Sequence, residues 1–405
     1  MSELNLAELD RKVADVFAQV VAWRRHIHAH PELSFEETET AAYVEAELKK
    51  LDPEAKHLTV HRPIPNGVFA DLKGTRGTSD KIILLRADMD ALPIQELANV
   101  DFKSKKDGVS HMCGHDCHSA MLLGAVKLLL AEVDKIDGTV RFLFQPAEEV
   151  PPGGAELMIK AGCLEGVTMA FAEHILPVPN GPVGSILMRD GVMYNSSDNF
   201  AIRIIGKGGH ASMPELAIDP VAIASQCVVA LQSMVTRRLP SNGAPVLTIC
   251  GFSSAVNAFT IISDEVVMKG SLRCDNKETR IKAKKYMEEV LASCTSCMGA
   301  SYELTWQPSY EMCFNDSDAF RIGERVAKRI LPNEKDIVYL PFALKPAEDF
   351  SLIAERVPSN YVCIGSYNEA LGCTKANHNA NFLVDEECFK VGVKFHYGVI
   401  HDLLM

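Results

Sequence analysis

Residues 81–86 read KIILLR, residues 139–144 TVRFLF and residues 167–172 VTMAFA, with helical patterns at about 118–132 and 154–161 between them. Apolar runs of strand length separated by helices point to a largely parallel sheet covered on both faces, because a parallel neighbour is reached only through a crossover. From about Asn199 the texture changes. FAIRIIG (200–206) is followed by a helix opening at Asp219-Pro220, a capping side chain with proline at the first helical position. Then come PVLTIC (245–250), EVVMKGSLRC (265–274), a charged helix from about Lys277 to Ser293, and SYELTW (301–306). This βαββαβ order is that of a ferredoxin-like α+β unit. The end of the chain returns to alternation, with NYVCIG (360–365) and a closing helix from about Asp385 to Leu403. The expected fold is therefore α/β. A main domain with a mixed, mostly parallel sheet flanked by helices is built from 1–195 and 308–405, and a smaller α+β ferredoxin-like domain is inserted at 196–307.

A length of 405 residues agrees with two domains, and 47% hydrophobic with 23% charged residues excludes a disordered or fibrous chain. The 41 basic and 53 acidic side chains leave a net charge of −12, which argues against nucleic acid or an anionic membrane as partner. Small anionic substrates stay open, since a basic pocket can sit in an acidic protein. The N-terminal MSELNLAELDRK has neither an apolar run nor a cleavage site. The longest uncharged stretch, 239–263, is broken by Pro240, Gly243, Pro245 and Gly251, so no membrane helix is expected. Twelve cysteines without a secretory signal read mostly as free thiols of a cytoplasmic protein.

Chemistry concentrates at the ends of the strands. Met112-Cys113-Gly114-His115-Asp116-Cys117-His118 precedes a helix, and Cys113 and His115 lie two apart, a spacing two ligands on one loop can use. A thiolate with an imidazole suits zinc and other late first-row metals. Gln145-Pro146-Ala147-Glu148-Glu149 follows TVRFLF, at the carboxyl end of a strand where open sheets build their sites. Adjacent carboxylates point in different directions, so one can hold a metal while the other serves as general base, and the spacing leaves open which does which. Glu173-His174 follows VTMAFA. Asp88 and Asp90 follow KIILLR and could orient ligand imidazoles. Asn377-His378-Asn379 lies near the C-terminus. In the middle segment, Gly206-Lys207-Gly208-Gly209-His210-Ala211-Ser212 would let backbone approach a ligand and leave His210 to polarise a carbonyl, or would simply form an exposed hairpin. His28 and His30 read as a packing motif of a helix start or as active-site support, the first being preferred, and Cys294 and Cys297 as two buried thiols outside any redox setting.

RRHIHAHPELSFEE (24–37), LRADMDALP (85–93), MCGHDCHSAMLLGA (112–125), FQPAEEVPPGGA (144–155), GKGGHAS (206–212), EDF (348–350) and NHNANF (377–382) occur in the order found in one family. The chain resembles the two-metal aminoacylase and carboxypeptidase-G-like amidohydrolases, within them the branch of hippurate hydrolases, N-acyl-amino-acid amidohydrolases and plant auxin-conjugate hydrolases. The resemblance implies two divalent ions per subunit (Zn, Mn, Co or Ni) held by Cys113, His115, Glu149, His174 and His378, with Glu148 as general base. It implies that His210 of a lid domain binds the carbonyl oxygen, in the partner's active site of a homodimer or higher oligomer formed through the middle domain. It also implies that Asn257 and Arg273 contact substrate. Asp88 stands where the wider family has a histidine ligand, which is the habit of this branch. The implied activity is hydrolysis of the amide bond of a small N-acyl or N-aroyl amino acid. Cleavage of small peptides by a dipeptidase or aminopeptidase is the alternative, and a catalytically silent metal-binding sensor a more distant one.

Overall fold

The runs KIILLR, TVRFLF and VTMAFA all form strands, and all three extend into the polar residues that follow, as Ile82–Asp88, Thr139–Gln145 and Val167–Leu176. Residues 4–240 and 245–405 are described by the computed structural model; Met1–Glu3 and the loop expected around Gly243 lie outside them. Ile82–Asp88 pairs in parallel with Thr139–Gln145 on one side and with Val167–Leu176 on the other, and Ser359–Gly365 adds a fourth parallel strand. These near-continuous apolar strands are the buried middle of an eight-stranded sheet, as parallel strands covered on both faces require. Antiparallel pairs come in on both sides of this middle. Leu58–Ile64 and Gly67–Lys73 form a hairpin that joins Thr139–Gln145, and Ile186–Met188 runs antiparallel to Ser359–Gly365 before Ile337–Tyr339 closes the far edge. The sheet is thus mixed, with four of its seven pairings parallel.

The helix His115–Leu130 lies against Ile82–Asp88 and is covered in turn by the helices Leu6–Ala29 and Phe389–Leu404. Its residues from His115 to Val126 are all buried. That all-round burial explains why LLGAVKLLL shows no amphipathic stripe. The closing helix begins later than Asp385, because residues 386–388 form a 3-10 turn capped by Asp385. Among the described residues no helix is long and apolar enough to cross a membrane.

The chain divides into two compact units. One comprises Met1–Met193, Cys313–Pro341 and Asp349–Met405; the other comprises Tyr194–Met312 and Phe342–Glu348. In the second, four antiparallel strands lie in the order Val246–Ser254, Glu265–Cys274, Ser196–Ile205, Ser301–Pro308, which is the ferredoxin-like arrangement. The helices Pro220–Arg238 and Lys277–Ser296 bury Ile223, Leu231, Met287 and Leu291 with Ile202, Ile204, Val266 and Met268 of the sheet. Each helix starts at a side-chain cap: Asp219 accepts from the Val221 N–H at 2.9 Å and Asn276 from the Thr279 N–H at 3.0 Å.

Candidate metal centre

Three parallel strands deliver their carboxyl ends to one place in the first unit. Between Cys113 and His115 the chain turns at Gly114, whose φ of 102° lies in the left-handed region that favours glycine, and the helix starts there. The His115 Nδ1–H is directed at Asp90 Oδ1, 3.0 Å away, so Nε2 carries the lone pair and projects inward. His174 lies within the strand Val167–Leu176, not after it, paired with Cys363 of the neighbouring strand. Its Nδ1–H is donated to the Ile175 carbonyl at 2.7 Å, which leaves Nε2 facing Cys113 Sγ at 3.4 Å. His378, in left-handed backbone at φ 67°, comes in on the C-terminal loop and is half exposed. That loop is fastened to the Cys113 turn: the His378 N–H is donated to the Met112 carbonyl at 2.6 Å, and Asn377 Nδ2 to the Cys113 carbonyl at 2.7 Å.

The side chains gather as the ligands of a cation would. Donor atoms of Cys113, His115 and His174 lie within 4.8 Å of one another, and so do those of Cys113, Glu149 and His378 and those of His115, Glu148 and Glu149. His115 Nε2 has no hydrogen-bond partner although fully buried, and it stands 3.9 Å from Glu149 Oε1 and 4.0 Å from Glu148 Oε2. Glu149 Oε1 is also buried without a hydrogen bond. His378 Nε2 sits 3.0 Å from it but in no orientation that would make one. Buried polar atoms are rarely left so, and donor atoms about 4 Å apart fit around an ion bound at ~2.0–2.3 Å. The electrostatics agree. Burial alone would push the His115 imidazolium down, yet Asp88, Asp90 and Glu149 outweigh it and lift it to about 10. Burial and the carboxylates of Glu149, Glu148 and Asp88 hold the Cys113 thiol well above the ordinary range. Both side chains would have to give up a proton to hold a divalent cation, whose charge would favour the thiolate and the neutral imidazole. The thiolate, imidazole and carboxylate donors suit a late first-row ion.

Asp88 and Asp90 differ in what they touch. Asp90 orients His115 and also accepts from Ser34 Oγ at 2.7 Å. Asp88 faces His118: its Oδ1 accepts from His118 Nδ1 at 2.6 Å, and His118 Nε2 then accepts the Ile175 N–H at 2.9 Å. Both nitrogens of His118 are therefore engaged, and Asp88 steadies the strand that carries His174. Oδ2 of Asp88 accepts from Arg86 at 2.6 Å, and Arg86 reaches on to Asp349 at 2.8 Å and Gln145 at 3.0 Å. Sequence reasoning missed Arg86; its signal was an arginine inside a buried apolar strand. His28 is buried between Asp116 at 2.7 Å and Glu96 at 3.1 Å, beside Arg24, a structural role.

His210, Asn257 and Arg273 belong to the second unit. His210 is exposed in a two-residue strand paired with Ile261–Ile262. Its Nδ1 accepts the Ser212 N–H at 3.2 Å, so its proton is on Nε2. Asn257 is exposed in the loop after Val246–Ser254, and Arg273 is half-buried on Glu265–Cys274, opposite Ser197.

The sequence profile of peptidase family M20/M25/M40 matches residues 84–402. An N-acyl-L-amino acid amidohydrolase of Geobacillus stearothermophilus is 41% identical over 76% of this chain and 81% of its own length. Thermostable carboxypeptidase 2 of Saccharolobus solfataricus is 36% identical over 97% and 98%. Among solved structures, the Bacillus subtilis YXEP protein, a dinuclear metal binding peptidase of the M20 family, superposes with a TM-score of 0.82 at 31% identity, covering 96% of this chain and 99% of that one. Matched over most of its length, the chain belongs to peptidase family M20/M25/M40, whose members hydrolyse carbon–nitrogen amide bonds.

Proposed function

We propose that this protein hydrolyses the amide bond of small N-acyl amino acids. The observation that carries the reading is the buried cluster of unsatisfied donors around His115 Nε2 and Glu149 Oε1; the amidohydrolase relative supports the substrate class. Cys113, His115 and His174 would hold one divalent ion, and Glu149 and His378, with Cys113 also within reach, a second. When bound, such ions supply Lewis acidity and a water whose pKa falls toward ~7. The chain's own residues do the rest. Glu148 accepts the proton of the attacking water as the new C–O bond forms, and returns it to the nitrogen as the C–N bond breaks. His210, with its proton on Nε2, donates to the oxyanion, and Asn257 and Arg273 bind the carboxylate of the leaving amino acid.

Glu148→Gln tests this: bound metal should be unchanged and turnover should fall by about 10²–10⁴. A fully active variant, or hydrolysis that survives complete chelation, overturns the reading. The metal content of Glu149→Gln decides which of the two carboxylates is ligand. The carboxypeptidase relative favours a second reading, cleavage of peptides. Hydrolysis rates on hippurate, acetyl-amino acids and dipeptides separate the two. We read the second unit as a lid that also forms a homodimer, with His210 serving the partner's site. Mixed dimers of inactive His210→Ala and Glu148→Gln subunits should then regain activity. Among the described residues no cysteine is in a disulfide, and Cys297 is exposed where a buried thiol was expected; the cytoplasmic setting is our proposal.

A further inference from the structure

Glu37 is the residue before the helix Thr38–Leu51, where a shorter Ser, Thr, Asp or Asn side chain ordinarily caps the helix. Glu37 does not cap it. Glu32 takes that duty, accepting from the Thr40 N–H at 2.7 Å and Thr40 Oγ1 at 2.8 Å, and the Glu37 carboxylate turns the other way into a fully buried position. There Oε1 accepts the Ala147 N–H at 2.7 Å, and Oε2 accepts from Asn66 Nδ2 at 3.0 Å. Ala147 is buried with φ 49°, a left-handed conformation that a residue with a Cβ rarely adopts. Its peptide is held from both sides, since its carbonyl also accepts the Gly154 N–H at 2.8 Å. The next residue is Glu148. Such backbone persists only where the surroundings over-determine it, and it gathers at functional sites.

We propose that Glu37 is a positioning residue for the general base: by accepting the Ala147 N–H it holds the left-handed turn that aims the Glu148 carboxylate. The inference rests on Glu148 being the base. It concerns reach, not charge. Burial, with Asp90 nearby, pushes the Glu37 carboxyl up to about 7, so a neutral amide of the same length is a fair replacement. Glutamine can offer its carbonyl to Ala147, while Asn66 turns over to accept from the new amide. Aspartate keeps the charge and withdraws the acceptor by one methylene.

The test compares metal-loaded Glu37→Gln and Glu37→Asp enzymes, with melting temperature and metal content measured alongside. Displacing a catalytic group by about an ångström costs on the order of 100-fold. Glu37→Asp should therefore lose about 10- to 100-fold in kcat with KM and metal content unchanged, whereas Glu37→Gln stays within about threefold of the parent. Added to Glu148→Gln, the Glu37→Asp change should cost nothing further, because the group it positions is already disabled. The reverse order, with aspartate active and glutamine not, overturns the proposal, and so does an undiminished loss in the Glu148→Gln background. A fully active Glu148→Gln enzyme would instead remove the underlying assignment of the base.

Discussion

Gly154→Ala sets two sequence-level expectations against one structural fact. Gly154 is the first residue of the helix Gly154–Lys160. By propensity, alanine there gains up to ~1 kcal/mol in a helix, and by restricting the unfolded chain it gains ~0.4–1 kcal/mol. Against that, a Cβ at this position would lie 1.7 Å from the Pro146 carbonyl oxygen and 2.5 Å from its carbon. Real Cβ contacts essentially never fall below 3.0 Å, so the gap has to open by more than an ångström. The helix cannot recede freely. The N–H of Ala155 is donated to Asp349 Oδ2 at 2.9 Å, and Asp349 is itself tied to Arg86 and Gln145. The displacement therefore passes to Pro146-Ala147-Glu148. Overpacking of this kind costs ~1–3 kcal/mol and should cancel or exceed the gain. The expected result is a melting temperature unchanged or lowered by up to ~4 °C, together with a fall in kcat of roughly 100-fold from displacing Glu148, the proposed base. Thermal melting and steady-state kinetics on the metal-loaded enzyme measure both. A Gly154→Ala enzyme that melts higher than its parent and keeps its kcat refutes the reasoning.

Arg86→Met should be costly in a different way, because it leaves the buried carboxylates of Asp88 and Asp349 without their shared cation. Denaturant unfolding should show a loss of ~3–5 kcal/mol, part of it restored by adding Asp349→Asn; a change below about 1 kcal/mol would rule out the buried network as a stabilising unit. Glu132 sets an acid limit far from the metal centre. Burial works to raise its carboxyl, but Lys12, Lys135 and Tyr397 outweigh it and hold it at about 2. A carboxyl depressed in the fold contributes stability above its unfolded pKa of ~4.3 and loses it as pH falls toward 2. The parent should lose melting temperature across that window and Glu132→Gln should lose less; parallel curves would show that the pair does not couple to folding.

The reach of sequence reasoning is set by how local the forces are. EVVMKGSLRC was legible to both ends, Glu265–Cys274, and Asp219-Pro220 marked its helix start, because a strand pattern and a cap are written in neighbouring residues. The hairpin Leu58–Ile64 and Gly67–Lys73 was not: it is an edge pair whose first strand carries His61, Arg62 and Pro63 where a central strand would carry apolar residues. Nor could the extension of Val167–Leu176 through Glu173-His174 be read. Its polar residues break the apolar run while its backbone stays paired with Ser359–Gly365, a partner almost two hundred residues away. Arg86 is the sharpest case. Its charge meets one carboxylate within KIILLRAD, that of Asp88, but the second, Asp349, lies 263 positions along the chain.

Much the same holds within the metal centre. Residue chemistry singles out Cys113, His115, Glu148, Glu149, His174 and His378, because few side chains can bind a divalent ion. It is silent on the second nitrogen of each imidazole, and that atom decides which nitrogen is left to bind. Asp88 and Asp90 look equivalent in DMD, yet only Asp90 fixes the His115 tautomer. Asp88 works through His118 and the Ile175 N–H on the strand that bears His174. The two aspartates are thus coupled to different members of the proposed ligand set. Loss of Asp90 should release a ring, and loss of Asp88 should release a strand. Asp88, Asp90 and Glu149 together outweigh burial at His115, so removing either aspartate should weaken the hold of this cluster on any cation, a proton or a metal that has to displace it.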